Sequence, residues 1–165
     1  SGVIMGTLAI AKVDYESWVK FVTKILIAMV NDFFINGKRA YEKFGLRMSE
    51  DFIPALLTPP PLKDFIENKS RNKNGKTVIY FNPVFDERDV TLTFTIEGLN
   101  KSDYKSKFDL FMAELKKGKV EIQVPDVGNE IYRLTYKSSS NFGINRQRTF
   151  SKISIKFNEP DPDNR

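Results

Sequence analysis

The amino-acid sequence predicts a mainly β fold of the α+β class. We expect an antiparallel β-sandwich or open barrel with one packed helix, plus an N-terminal amphipathic helix. Three observations predict this fold. Residues 90–96 alternate apolar and polar side chains without a break, as a half-buried strand does. Residues from about 102 to 117 carry apolar side chains at helical spacing, and Gly118 ends the run. Residues 119–124 alternate again, so this helix joins two strands.

Residues 1–31 are predicted to form an arm followed by the amphipathic helix. Asp14 is a plausible N-cap, and the helix would run from about Tyr15 to Met29. Its apolar arc is wide, which indicates burial on more than one side. We therefore expect a contact with another subunit. The candidate interface residues are Trp18, Phe21, Val22, Ile25, Leu26 and Met29.

Residues 32–158 are predicted to form a single β domain. Asn36-Gly37 is a strong hairpin-turn signal. The prolines at 59–61 exclude a central strand and predict an extended crossing segment. The remaining elements follow from alternation and turn residues: an edge strand over 62–67, strands over 77–81, 131–137 and 150–157, a polar loop over 138–148, and a mobile tail over 159–165.

Composition limits the chemistry that this chain can carry. Its 165 residues suffice for one domain with a substantial core and are too few for two. The chain has no cysteine and no histidine, so it lacks thiolates and the commonest general base and metal ligand. Its glycines do not form a phosphate-binding loop. The sequence therefore predicts no enzyme, no catalytic residue, no cofactor and no metal site. The sequence also leaves open a small enzyme that works with carboxylates, beside the two interpretations given below.

The formal net charge is +5, and the cations are unevenly distributed. Residues 131–158 contain no carboxylate and six cations, namely Arg133, Lys137, Arg146, Arg148, Lys152 and Lys156. Such cations can keep the solvent face of a sheet soluble and block edge pairing. They can also form an anion contact. Because aromatic residues interleave with them, the alternative function is a nucleic-acid-binding β-domain that uses this basic segment.

Motif order gives a resemblance to a known family. The chain resembles the N-terminal domain of phage distal tail proteins and, more loosely, the tail-tube fold. The motifs that carry the resemblance are Phe34-Ile-Asn-Gly37, Tyr41-Glu-Lys-Phe-Gly-Leu46, the proline-rich crossing, Asn74-Gly75-Lys76, the strand from Glu87 to Gly98, a helix ending at Leu115-Lys-Lys-Gly-Lys119, and Tyr132-Arg-Leu-Thr-Tyr136. The closing residues 156–165 are similar to the end of prophage tail proteins of the Bacteroidales type.

This resemblance implies a structural role without catalysis. The family forms a β-sandwich with a flanking helix and assembles as a ring, usually of six subunits, that joins the tail tube to the tip and lets the genome pass. It implies the chain itself, tube proteins and the baseplate hub as partners, no membrane, and a place in the virion tail after synthesis in the bacterial cytoplasm. The chain is too short for the second, carbohydrate-binding-like domain of many relatives. Because a cationic lining would retain DNA, we expect the basic residues 133–156 to face outward or to lie at subunit contacts.

Overall fold

The structure, a computed structural model, describes residues 16–21 and 32–165. Residues 16–21 are helical, in agreement with the N-terminal helix predicted there. The other positions of that prediction, including Val22, Ile25, Leu26 and Met29, lie outside the described residues.

From residue 32 onward the chain forms nine strands and three helices. In chain order they are β1 (Phe34–Ile35), β2 (Lys38–Arg39), α1 (Ala40–Phe44), β3 (Leu46–Met48), α2 (Phe52–Leu57), β4 (Ile66–Asn68), β5 (Thr77–Ile79), β6 (Arg88–Glu97), α3 (Lys101–Lys116), β7 (Lys119–Gln123), β8 (Ile131–Ile144) and β9 (Phe150–Glu159).

Seven strands form one antiparallel sheet in the order β2-β1-β7-β8-β9-β6-β3. The sheet curls into a half-barrel, and α3 packs against it. Strands β4 and β5 form a separate two-stranded ribbon. The predicted fold class, mainly β with an antiparallel open barrel and a packed helix, is confirmed.

The pairing of β6 with β9 is the longest unbroken ladder in this sheet. Ten consecutive pairs run from Arg88 opposite Glu159 to Glu97 opposite Phe150. The alternation that predicted β6 buries Val90, Leu92, Phe94 and Ile96, while most of the intervening residues remain at least partly exposed. Because one face of each strand is buried, a slip of one residue would expose this whole set, so the register is strongly specified.

Phe94 lies at the centre of an aromatic cluster that holds the curled sheet together. Its ring centroid lies 5.1 Å from that of Phe52, 5.6 Å from Phe111 and 6.4 Å from Phe157. Phe33 precedes β1, near the opposite end of the strand order, and its ring lies 5.9 Å from that of Phe94. Residues from both ends of the sheet therefore meet in one core, and edge-to-face ring contacts add to their burial.

Helix α3 begins and ends as its sequence predicts. The Asn100 side chain accepts a 2.8 Å hydrogen bond from the Asp103 backbone, and the Asp103 carboxylate accepts one from the Leu99 backbone. These reciprocal bonds satisfy amide groups that the first turn leaves without partners. Gly118 adopts a φ of 85° just after the helix, where a side chain would be strained.

Strand β8 extends well beyond its predicted end. The sequence predicts a polar loop over 138–148, whereas β8 continues to Ile144 and pairs with β9. Residues 138–144 are exposed and show no apolar alternation. Backbone hydrogen bonds to β9 keep this segment in the strand, and burial of its side chains does not contribute. Register shifts interrupt the pairing between Tyr136 and Ser138 and between Ser140 and Gly143.

The sequence predicts a mobile tail over residues 159–165, but the structure gives this segment specific contacts. Glu159 is the last residue of β9 and is fully buried. Its carboxylate lies 2.7 Å from Arg88 Nη2 and 2.8 Å from Arg165 Nε. Arg165 also stacks 4.9 Å from the centre of the Tyr132 ring. A buried carboxylate needs such partners, so the tail folds back to provide a second cation.

The Arg88 guanidinium also binds the end of α2. It donates to the Leu56 carbonyl at 2.8 Å and to the Thr58 carbonyl. Arg88 is 6% exposed, so these bonds occur out of water. A single side chain thus joins β6, β9 and the segment that leaves α2.

Arg88→Met is expected to lower the free energy of unfolding by about 3 kcal/mol, because it leaves Glu159 buried with Arg165 as its remaining cation. Denaturant unfolding followed by circular dichroism measures the change. The control is Lys105→Gln, which removes a 2.6 Å pair with Asp109 that is well exposed and should cost less than about 1 kcal/mol. Equal costs for the two variants would contradict the structural role of Arg88.

A second carboxylate, Glu114 on α3, ties the first hairpin to the helix. It accepts hydrogen bonds from Lys38 at 2.6 Å, Asn36 at 2.7 Å and Lys117 at 3.0 Å. Burial by itself would raise the pKa of Glu114. The three hydrogen bonds outweigh burial and lower the pKa from 4.5 to about 2.

Glu114 is therefore expected to make the free energy of unfolding depend on pH. The stabilisation by the Glu114 carboxylate is complete above pH 4.5 and is lost as the pH falls through about 2, because Glu114 of the unfolded chain takes up a proton at a higher pH than Glu114 of the folded chain. Glu114→Gln should remove this part of the pH dependence and lower stability at pH 7 by about 2 kcal/mol. Chemical unfolding between pH 2 and pH 7 measures both effects, with the exposed Glu42→Gln as the control. An unchanged pH profile in Glu114→Gln would contradict the assignment.

Candidate assembly interface

Residues 62–87 form a hairpin, here called the arm, whose two strands lie outside the main sheet. Strands β4 and β5 pair with each other alone, with Ile66 opposite Ile79. The base of the arm is closed by an isolated bridge between Leu62 and Phe85. The Lys63 amide donates to the Val84 carbonyl at 2.9 Å nearby. The arm follows the proline-rich crossing, which has too few backbone donors to join the sheet.

The arm exposes an unusual number of large apolar side chains. Phe81 is 86% exposed and Tyr80 is 72% exposed. The full set on the arm is Leu62, Ile66, Ile79, Tyr80, Phe81, Val84 and Phe85. Exposed apolar clusters of this kind mark surfaces that bind a partner. A two-stranded ribbon is also only marginally stable by itself, so a partner would stabilise it.

A second surface lies where the start of α3 meets the end of β8. It is an open groove of about 630 Å³. Its lining residues are Lys101, Ser102, Tyr104, Lys105, Phe108, Phe142, Ile144 and Arg148. The rings of Phe108 and Phe142 lie 5.9 Å apart and form part of its apolar wall. Cations surround this wall, so the groove is apolar inside and basic at its rim.

The strand edge beside this groove is unpaired within the part of the chain that the structure describes. Strand β7 pairs with residues 131–135 of β8 and extends no further. The outer edge of residues 138–144 therefore presents free backbone groups to solvent, as edge strands that accept an added strand do.

The structure places two of the predicted interface residues, Trp18 and Phe21. Both lie on helical residues 16–21, and they are 60% and 62% exposed. The predicted contact of this helix with another subunit stays a prediction.

The six cations of the predicted anion contact fall into two groups. Arg133, Lys137 and Lys156 lie near carboxylates: Arg133 is 3.9 Å from Glu121, and Lys156 is 3.4 Å from Asp89. Hydrogen bonds from Asn158 and Lys156 lower the pKa of Asp89. The second group, Arg146, Arg148 and Lys152, lies at the far end of the β8–β9 hairpin and forms no ion pair with the described residues.

Sequence reasoning missed the arm as an interface, because apolar residues in a strand pattern indicate burial. One signal was available. The apolar pair Tyr80-Phe81 does not alternate and is followed by Asn82-Pro83, so it does not continue a regular strand. Strand β5 ends at Ile79, and Asn82 adopts a φ of 50°, which strand residues do not adopt.

Within residues 16–21 and 32–165, no group of three or more histidine, cysteine, aspartate or glutamate side chains could hold a metal ion. None of the helices described there has the length and apolar character needed to cross a bilayer.

Comparison with known proteins supports the fold. The structure is similar to the crystal structure of SPP1 Dit (gp 19.1), described as a paradigm of hub adsorption apparatus in Gram-positive infecting phages. The TM-score is 0.54 and the sequence identity is 14%. The match covers 79% of this chain and 50% of Dit, so this chain spans about half the length of that protein.

Sequence comparison adds little to this result. A family model for DcuC, a C4-dicarboxylate anaerobic carrier, matches residues 1–35. No curated protein matches the chain. The predicted similarity of residues 156–165 to prophage tail proteins of the Bacteroidales type has no support in these comparisons. At 14% identity, the likeness to Dit shows that the two proteins share a fold.

Proposed function

We propose that this chain is a structural subunit of a phage or prophage tail, close to the distal tail protein, and that it works by assembling into a ring with copies of itself. One observation carries the proposal. On a fold similar to that of SPP1 Dit, the arm presents its apolar side chains to solvent rather than to its own core. Such a surface requires a partner.

Energetics indicate what kind of contact the arm can make. Burying its exposed apolar side chains would contribute about 5 to 10 kcal/mol, since each is already partly covered. Association costs about 4 to 15 kcal/mol in lost freedom of motion. The two ranges overlap, so a single arm contact gives at most weak association of two subunits, and a ring, in which each copy makes two contacts, suits it better.

The proposed role needs no catalytic group, in keeping with the expectation that the chain is not an enzyme. The proposed partners are further copies, six in the ring, and neighbouring tail proteins such as the tube and the baseplate hub. The proposed location is the virion tail.

A second candidate function is nucleic-acid binding, favoured by Arg146, Arg148 and Lys152 beside the exposed rings of Phe142 and Phe150. Single-stranded DNA would then bind with an affinity that falls steeply as salt rises. A tail subunit would show no such binding and would instead change mass with concentration.

Light scattering after size-exclusion chromatography tests the proposed function. Subunits of 19.0 kDa should reach about 114 kDa if six copies close a ring, and negative-stain images should show annular particles. A protein that remains at 19.0 kDa at all concentrations and is absent from intact tails would contradict the proposal.

The contribution of the arm is tested with Phe81→Ser. Because Phe81 is 86% exposed, its loss should leave the circular dichroism spectrum of the folded chain unchanged while shifting the mass toward the single subunit. Leu110→Gln, on an exposed position of α3 outside the arm and the groove, is the matched control and should assemble like the natural protein. Normal assembly of Phe81→Ser would exclude the arm from the contact.

A further inference from the structure

The arm and the groove lie at opposite ends of the same strand. The arm leads directly into Arg88, the first residue of β6. The groove begins just after Glu97, the last residue of β6, and includes Lys101 at the start of α3. Ten residues of strand separate the two ends by about 30 Å. No arm residue lines the groove in the described chain, so we assign a contact between arm and groove to two different copies.

The groove has the chemistry of a site for a segment that is both apolar and acidic. Phe108, Phe142 and Ile144 offer apolar surface to a ligand. Within the described residues, neither Lys101 nor Arg148 forms an ion pair, so both cations are available at the rim. Apolar anchors flanked by charges of one sign favour a partner with the opposite sign.

One exposed segment of the chain has that complementary chemistry. Residues 81–87 read Phe-Asn-Pro-Val-Phe-Asp-Glu, and Phe81, Val84 and Phe85 are exposed. Asp86 and Glu87 follow them and form no ion pair with the described cations. The Glu87 carboxylate instead accepts a 3.1 Å hydrogen bond from Asn158. Three apolar side chains and two carboxylates thus match the three apolar side chains and the free cations of the groove.

We propose that residues 81–87 of one copy dock in the groove formed by α3 and the end of β8 on the next copy. This inference rests on the proposed function and names the contact through which the ring would form. The contact is heterologous, since two different surfaces meet, and repetition around an axis closes a ring without leaving either surface exposed. The unpaired edge of residues 138–144 lies beside the docked segment.

Disulfide trapping tests this contact, because the natural chain has no cysteine. The variant Pro83→Cys/Ser102→Cys places one thiol on each proposed surface and keeps the apolar side chains of the contact. The two Cα atoms of a disulfide lie within about 7 Å, and no arm residue lines the groove of its own copy, so a disulfide within one copy is not expected. Mild oxidation of the assembled protein should give a ladder of dimers, trimers and higher species on a non-reducing gel.

The matched control is Pro83→Cys/Leu110→Cys, with the second thiol on the same helix outside the groove. It should give few species beyond the dimer. If both variants give the same gel pattern while the natural protein keeps its ring mass, the arm docks elsewhere. That result would contradict the docking proposal and leave the proposed function unaffected. If neither variant gives a ladder and the natural protein keeps the mass of one subunit, the docking proposal and the proposed function are both contradicted.

Charge exchange provides a second readout. Lys101 is the first residue of α3, where the helix dipole favours an anion, so Lys101→Glu should fold normally. It should nevertheless weaken assembly by on the order of tenfold, because it faces Asp86 and Glu87 across the contact. Glu87→Lys in the same chain should restore much of the loss. An additive effect of the two substitutions would contradict the proposed pairing.

Discussion

The ten-pair ladder between β6 and β9 is the constraint on which the other features of this molecule depend. It aligns Arg88 with Glu159 at one end and Glu97 with Phe150 at the other. The buried ion pair at the first end gives the arm a fixed root. At the second end, the Gly98 amide donates to the Thr149 carbonyl at 2.9 Å and positions α3. Arm and groove are thereby held apart by a stiff element.

The main sheet with its packed helices differs from the arm in how many apolar side chains are buried. The main sheet and these helices are called the body here. Phe94 and its four ring neighbours close the curled sheet on itself, so the body has a complete core. The arm shares little of that core and depends on its own contacts, such as the 5.1 Å edge-to-face contact of Phe65 with Tyr80. We propose on this basis that the exposed aromatic side chains of this projecting ribbon contact another molecule.

The sequence predicted those elements whose side-chain pattern reflects burial. The alternation of residues 90–96 predicted β6, and helical spacing before Gly118 predicted α3. It did not predict α2, which is only six residues long, or residues 138–144 of β8, which are exposed and therefore carry no periodicity. The apolar residues of the arm predicted an edge strand over 62–67 and a strand over 77–81, because a sequence pattern indicates a strand without showing whether its apolar side chains are covered.

Hydrogen–deuterium exchange tests most directly the claim that this protein acts through contact with its own copies. Exchange is compared at protein concentrations below and above the assembly midpoint. Assembly is expected to slow exchange in residues 80–87 and 138–148 and to leave exchange in the β6–β9 ladder unchanged, since the ladder is already protected. Exchange that is the same at both concentrations, or protection confined to other surfaces, would contradict it.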